Sequence, residues 1–100
     1  MADRVPAVIN LVAPGILRAV DVLGRRVAIA NVNGTFYAFE DACTHLGCSL
    51  ATKGRISGTT VICDCHGSEF DVQTGTVLHG PATRPLHTYP VDAEGNVDAG

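Results

Sequence analysis

Two short segments rich in Cys and His constrain this chain more than any other feature of its sequence. The first is CTHLGC at residues 43–48 and the second is CDCHGS at residues 63–68, and together they hold all four Cys and two of the four His. The first contains a C-x-H pair and the second a C-x-x-H pair, separated by residues 46–62. A fold that uses these side chains for one purpose must bring two distant segments together.

Two thiolates and two imidazoles form a set of metal ligands, offered here by Cys43, His45, Cys63 and His66. Such a set suits a tetrahedral Zn²⁺, or a two-iron cluster in which one iron takes both thiolates and the other takes both imidazoles. Four Cys without a secretory signal more often indicate metal or redox chemistry than a disulfide framework. The residues alone leave zinc and iron open.

Length and charge exclude several classes of protein. One hundred residues predict a single domain over 1–100 with one core. The formal net charge is −3 and the basic residues are scattered, which disfavours nucleic acid as a partner. The apolar stretch near the start is short and is interrupted by Pro6 and Pro14, so we expect no membrane partner and a soluble, cytoplasmic protein.

Short apolar runs separated by Gly, Pro and Asn predict an all-β fold. The runs RRVAIANV and TFYAFE are joined by Asn33 and Gly34, which predict a hairpin with a type I′ turn. No segment predicts a helix. Weaker strand candidates are ILRAVDV, TTVICD, SEFDV, VLHG, LHTYPV and GNVDAG. Both Cys/His segments follow predicted strands and are therefore expected on loops, where small domains often place their chemistry.

Beyond the ligand pattern, the chain resembles the Rieske [2Fe-2S] family over nearly its whole length. The resemblance is carried by CTHLGC, CDCHGSEFD and GPATRPL, the last of which is similar to the proline loop of that family, and by the lead-in FYAFEDAC. It implies a Rieske-type fold of short antiparallel strands with two cluster-binding loops and a proline loop. It also implies one [2Fe-2S] cluster as the cofactor.

The resemblance assigns roles to eight residues. Cys43 and Cys63 would bind the inner iron, and His45 and His66 the solvent-facing iron. Cys48 and Cys65 match a pair that forms a disulfide between the two loops in the high-potential branch of the family. Ser68 matches a hydroxyl that donates to a bridging sulfide, and Phe70 replaces a Tyr that is common in the high-potential branch.

The mixed ligand set has an electrostatic consequence. With neutral imidazoles, two ferric ions, two sulfides and two thiolates sum to zero, whereas four thiolates would leave a net negative charge. An electron is added more easily to a neutral cluster, and Rieske centres accordingly lie at about −150 to +300 mV, against about −400 mV for plant-type ferredoxins.

The function implied is one-electron transfer without catalysis of its own, between a reductase and the terminal oxygenase of a bacterial system. The alternatives are a small subunit of assimilatory nitrite reductase, a soluble relative of a cytochrome bc Rieske protein, and a zinc-binding structural module.

Expectations for the neighbouring residues are less specific. Gly47 and Gly67 are expected where a side chain would crowd the approaching loop. The acidic side chains near the loops are expected to be solvated: Glu40, Asp41 and Glu69. His79 and His87 are expected on strands or the surface rather than as ligands, and Pro81 and Pro85 are expected to stiffen a cover over the cluster.

Overall fold

The computed structural model describes residues 4–5, 12–22, 24–44, 47–92 and 97–98. Within them the regular secondary structure is almost entirely extended, with ten strands and one helix of a single turn. In chain order these elements are β1 Arg4–Val5, β2 Leu17–Val22, β3 Arg25–Val32, β4 Thr35–Glu40, α1 Leu50–Lys53, β5 Gly54–Ser57, β6 Thr60–Cys63, β7 Glu69–Asp71, β8 Val77–His79, β9 Thr88–Tyr89 and β10 Val97–Asp98.

The strands form two four-stranded antiparallel sheets and one separate pair. The first sheet has the order β2-β3-β4-β9, the second has the order β5-β6-β7-β8, and β1 pairs with β10. This arrangement confirms the all-β prediction. The six weaker strand candidates each contain a strand, although most of the observed strands are shorter than the predicted runs.

The predicted hairpin is β3 and β4, and its turn has the expected chemistry. Val32 pairs with Thr35, so Asn33 and Gly34 are the two central residues of the turn. Their φ angles are 53° and 90°, positive at both positions as a type I′ turn requires. The side chain of Asn31 accepts a hydrogen bond from the Gly34 N–H at 2.8 Å, which supports the turn from inside the hairpin.

Strand β3 separates two hydrophobic cores because both of its faces are buried. Ala28 and Ala30 face a larger core that also contains Phe39 and reaches the second sheet. Val27 and Ile29 face a smaller core. The larger core comprises Ala28, Ala30, Phe39, Cys43, Leu50, Val61, Cys63, Phe70, Val72, Ala82 and Leu86, and the smaller comprises Val12, Val27, Ile29, Ala38 and Val97.

Helix α1 and strand β5 were not predicted, and both lie between the two Cys/His segments. The helix is capped by Ser49, whose hydroxyl accepts a hydrogen bond from the Thr52 N–H at 3.3 Å. Each element has only four residues, which is too few for a hydrophobic period to be read. Among the described residues, no helix is long and apolar enough to cross a membrane.

Candidate metal centre

The two Cys/His segments lie on loops, as predicted. The first loop, residues 43–48, follows β4 and leads into helix α1, while the second loop, residues 63–68, joins β6 to β7. In the first loop, the Cys43 N–H donates to the Cys48 carbonyl and the Gly47 N–H donates to the Cys43 carbonyl, each at 2.8 Å. These two bonds fold the backbone into a tight reversal.

The second loop repeats this backbone pattern at the equivalent positions. The Cys63 N–H donates to the Ser68 carbonyl and the Gly67 N–H donates to the Cys63 carbonyl, again at 2.8 Å. The first and fifth residues of both loops are therefore Cys and Gly, in the same hydrogen-bonded frame. The two predicted thiolate ligands occupy corresponding places in two similar loops.

The glycines of the two loops are required by the backbone rather than by crowding. Gly47 has a φ of 77° and Gly67 a φ of 88°, in the left-handed region that side chains disfavour. A Cβ atom added at either position would meet nothing within 4 Å. The expectation that a side chain would crowd the approaching loop is therefore wrong. The tight reversal of each loop is what selects Gly.

Cys43 and Cys63 lie together as free, buried thiols, with exposed fractions of 4% and 1%. Burial raises the pKa of the Cys63 thiol, and its hydrogen bond with the Cys43 side chain raises it further. Backbone hydrogen bonds from Cys65 and His66 act in the opposite direction and stabilise the thiolate. Since the thiolate is the form that binds metal, a bound cation would offset the cost of holding Cys63 deprotonated.

The predicted imidazole ligands are placed less completely. His66 is exposed on the second loop, as expected for a ligand of the solvent-facing iron. His45 lies outside the described residues. The four-ligand set therefore remains a prediction, of which the structure brings Cys43 and Cys63 together.

Cys48 and Cys65 form the disulfide that the resemblance implied, with their Cα atoms 6.7 Å apart. The bond links the last residue of the first loop to the third residue of the second. The sulfur atoms of Cys48, Cys63 and Cys65 all lie within 4.8 Å of one another. The two disulfide sulfurs are not thiolates, so this proximity places the disulfide beside the predicted ligand Cys63 and does not add ligands.

Ser68 and Phe70 are both fully buried next to the thiol pair. The Ser68 hydroxyl accepts a hydrogen bond from the Ala82 N–H at 3.0 Å. Among the hydrogen bonds between described residues it accepts this one and donates none. Phe70 belongs to the same core as Cys43 and Cys63 and offers no polar atom there.

The proline loop, residues 80–86, is attached to both Cys/His loops. Ala82 is bound to Ser68 of the second loop, and the Thr44 hydroxyl of the first loop donates to the Arg84 carbonyl. At its far end, the Leu86 N–H donates to the Gly75 carbonyl at 2.9 Å. Gly75 lies so close to the end of the proline loop that an added Cβ would come within 2.2 Å of the Leu86 oxygen. The loop is thus held in place at three points.

The expectation that Asp41 is solvated is wrong, since only 1% of it is exposed. Its carboxylate accepts hydrogen bonds from the Arg26 Nε at 3.0 Å, the Ser49 hydroxyl at 2.5 Å and the Ala51 N–H at 2.8 Å. The signal was present in the sequence. A two-residue turn at 33 and 34 places Arg26 opposite Asp41, which makes a cross-strand ion pair the natural expectation.

Other polar residues near the loops have their own contacts. Glu40 is half-buried, and its carboxylate accepts the His87 N–H at 2.8 Å, so it is not simply solvated. The His87 ring lies edge-on to Tyr89, with 4.7 Å between ring centroids. Glu69 is half-buried on β7, and His79 is exposed on β8. His79 and His87 thus lie where they were expected, on strands or at the surface.

The donors of this site fit a two-iron cluster with mixed ligands. Two buried thiols would supply the anionic ligands for one iron, and the buried Ser68 hydroxyl lies on the same loop as Cys63. A cluster sulfide would offer that hydroxyl an acceptor, and a buried donor without a partner is costly. The exposed His66 would supply a neutral ligand at the solvent side.

Comparison with known proteins gives consistent results. Residues 5–90 match the Rieske [2Fe-2S] domain. The chain is 40% identical over 87 residues to the biphenyl dioxygenase ferredoxin subunit of Pseudomonas sp. (strain KKS102), covering 87% of this chain and 80% of that protein. It is 41% identical over 88 residues to the ferredoxin component of the p-cumate 2,3-dioxygenase system of Pseudomonas putida, covering 85% and 75% of the two chains.

Solved structures agree on the fold. The ferredoxin of carbazole 1,9a-dioxygenase from Nocardioides aromaticivorans IC177 superposes with a TM-score of 0.86 at 26% identity, covering 98% of both chains. A chain in the complex of reduced oxygenase and oxidised ferredoxin in carbazole 1,9a-dioxygenase superposes with a TM-score of 0.81 at 38% identity, covering 94% of this chain and 96% of that one. With the family match spanning most of its residues, the chain belongs to the Rieske [2Fe-2S] domain family, whose cofactor is a single [2Fe-2S] cluster.

Proposed function

We propose that the protein is a one-electron carrier, the ferredoxin component that passes electrons from a reductase to a terminal oxygenase. The observation that carries this proposal is the pair of buried thiols, Cys43 and Cys63, held on two similar loops beside the exposed His66. The relatives named as ferredoxin components of dioxygenase systems support the same role. A structural neighbour described as a complex of oxygenase and ferredoxin supports an oxygenase as the acceptor.

The proposed ligands are Cys43 and Cys63 for the inner iron and His45 and His66 for the outer iron. The cluster, when bound, takes up and releases one electron. The protein contributes the rest: the core around the thiols excludes water, the proline loop covers the site, and the second loop presents His66 to solvent. The exposed imidazole gives a partner its shortest route to the iron, so we propose it as the point of electron entry and exit.

The proposal is tested by EPR of the dithionite-reduced protein, with iron and sulfide analysis of the same sample. We expect two irons and two sulfides per chain and the spectrum of a mixed Cys/His cluster. Zinc in place of iron, or the spectrum of a cluster with four thiolates, would contradict it.

The ligand assignment is tested separately by His66→Cys and His45→Cys. Each replaces a neutral ligand by a thiolate, so a cluster that still assembles should have a markedly lower potential. Spectroelectrochemistry measures the shift. His79→Cys serves as the control, since His79 is exposed on β8 and is not a proposed ligand. A potential equal to that of the control would remove the histidine in question from the ligand set.

Two further expectations remain predictions. We propose that residues 1–100 form a single domain, which is supported by a core that combines residues of both four-stranded sheets. Limited proteolysis should then yield one resistant core. The cytoplasmic location expected from the sequence is tested by cell fractionation.

A further inference from the structure

We propose that Asp41 is a positioning residue for the cluster. Its side chain holds the first Cys/His loop closed at its base. This inference rests on the proposed function, because it concerns the same site. Asp41 precedes Cys43 by two residues, and its bonding partners Ser49 and Ala51 follow the end of the loop. The side chain therefore spans the two ends of the segment that carries Cys43 and His45.

The contacts of Asp41 form a complete set around a buried charge. One carboxylate oxygen, Oδ1, accepts the Ala51 N–H, and the other, Oδ2, accepts both the Ser49 hydroxyl and the Arg26 Nε. The backbone adds two bonds: the Leu50 N–H donates to the Asp41 carbonyl at 2.7 Å, and the Asp41 N–H donates to the Arg26 carbonyl at 3.1 Å. Hydrogen bonds to a buried carboxylate are stronger than neutral ones.

The second loop closes in a different way. Its base lies between β6 and β7, whose ladder pairs Ile62 with Glu69. The acidic residue of this loop, Asp64, is exposed and pairs with the exposed Arg55 at 3.1 Å. The base of the second loop is therefore held by strand pairing, whereas the base of the first loop combines a single backbone bridge, Ala42 with Ser49, with the hydrogen bonds of the Asp41 side chain.

The charge of Asp41 also acts on the cluster. Two residues of chain span at most about 7 Å, so the Cα atom of Asp41 lies within that distance of the Cα atom of the proposed ligand Cys43. A buried negative charge opposes the addition of an electron, and Arg26 offsets it only in part because 57% of its side chain is exposed to solvent. Removal of the charge should therefore raise the reduction potential.

The test compares Asp41→Asn with Asp64→Asn, which removes the same charge from the other loop. Asn at 41 keeps an acceptor for Ala51, but its amide nitrogen is a donor where Arg26 and Ser49 both donate. Hydrogen exchange on the protein as isolated should show amides of residues 41–51 exchanging at least tenfold faster in Asp41→Asn. Amides of residues 60–71 should stay within twofold of wild type in the same variant.

Potentiometry supplies a readout that a purely structural role would not move. We expect the equilibrium constant for reduction to rise at least threefold in Asp41→Asn, which raises the reduction potential by about 28 mV at 59 mV per tenfold. In Asp64→Asn the rise in potential should be less than half as large. Equal exchange in the two loops of Asp41→Asn, or identical potentials for the two variants, would overturn the proposal. Absence of a mixed-ligand EPR signal in wild type would refute the proposed function instead, while the exchange data still decide whether Asp41 closes the loop.

Discussion

The two Cys/His loops have the same backbone frame and distribute their side chains differently within it. Cys stands first and Gly fifth in both, and the same two backbone hydrogen bonds close each reversal. At the third position one loop has His45 and the other has Cys65, and at the sixth position Cys48 corresponds to Ser68. Cys at the first position and Gly at the fifth thus fix the backbone of each loop, and the other positions carry side chains with different roles.

The side chains that differ between the two loops join the loops to each other and to the proline loop. Cys48 and Cys65, from different positions of the frame, form the disulfide between the loops. Ser68 holds the proline loop at Ala82, while Thr44, in the second position of the first loop, holds it at Arg84. The repeated frame therefore supplies the geometry of the thiolates, and the differences between the loops supply the connections.

The largest effect is expected where the loops are equivalent. Cys43→Ser and Cys63→Ser each remove a thiolate from the same place in the frame, so each should abolish the cluster and its EPR signal. Iron analysis after anaerobic reconstitution measures the loss. The double variant Cys48→Ser with Cys65→Ser is the matched control, because those sulfurs are not proposed ligands and a cluster should still form. A cluster retained at full occupancy in either single variant would break the equivalence of the loops.

The second prediction concerns the connection between the loops. Removal of the disulfide by Cys48→Ser with Cys65→Ser should lower the free energy of unfolding by about 3 kcal/mol, as expected for a bond that closes a loop of this length. The cluster should then be lost faster to an iron chelator, which absorbance in the visible range follows. Cluster lifetimes equal to wild type would show that the frame holds the site without the bond.

The third prediction tests the frame itself. Gly47→Ala and Gly67→Ala should each lower the free energy of unfolding by about 1 to 2 kcal/mol, since each places a side chain in the left-handed region. The two values should agree because no neighbouring atom lies within 4 Å of either added Cβ. Thermal or urea unfolding measures them. A much larger effect at one glycine would show that its loop is packed more tightly than the other.

The smallest effect is expected at Ser68 and Phe70, which lie in and just after the second loop. Ser68→Ala removes the proposed donor to the cluster, and Phe70→Tyr adds a hydroxyl to the larger core. If each bond is worth about 1 kcal/mol between redox states, the potential should fall or rise by roughly 40 mV. Potentiometric titration of both variants beside wild type measures the shifts. Midpoints within error of wild type would show that neither side chain acts on the cluster.

Much of the site could be predicted from the sequence because its signals are local. The hairpin follows from Asn33 and Gly34, and the disulfide pairing and the buried thiols follow from the family resemblance. The placement of Asp41 could not be read from composition, since a charged residue beside a loop is usually exposed. It follows from the hairpin register, which sets Arg26 opposite Asp41. The spacing of Cys and His along the chain predicts the ligands, whereas the strand register of the hairpin is needed to predict which side chains support the ligand loops.

The short elements between the loops show a different limit. Helix α1 and strand β5 have four residues each, and their conformation is set by what they contact. Leu50 is fully buried in the larger core, and its N–H is bound by the Asp41 carbonyl. Such segments gain their structure from tertiary contacts rather than from propensity, so a sequence pattern does not indicate them.

The division of the interior by β3 bears on how the protein matures in the cell. Among the described residues, the smaller core is formed by aliphatic side chains with Phe36 and Tyr89 packed against it, and it includes no Cys, so we expect its packing not to depend on iron. The larger core includes Cys43 and Cys63, so metal binding and packing are coupled there. We therefore expect a newly made chain to acquire the first sheet before the cofactor arrives. The donor that delivers iron and sulfide would meet a half-finished protein, with the ligand loops still open to it and the hairpin already in place.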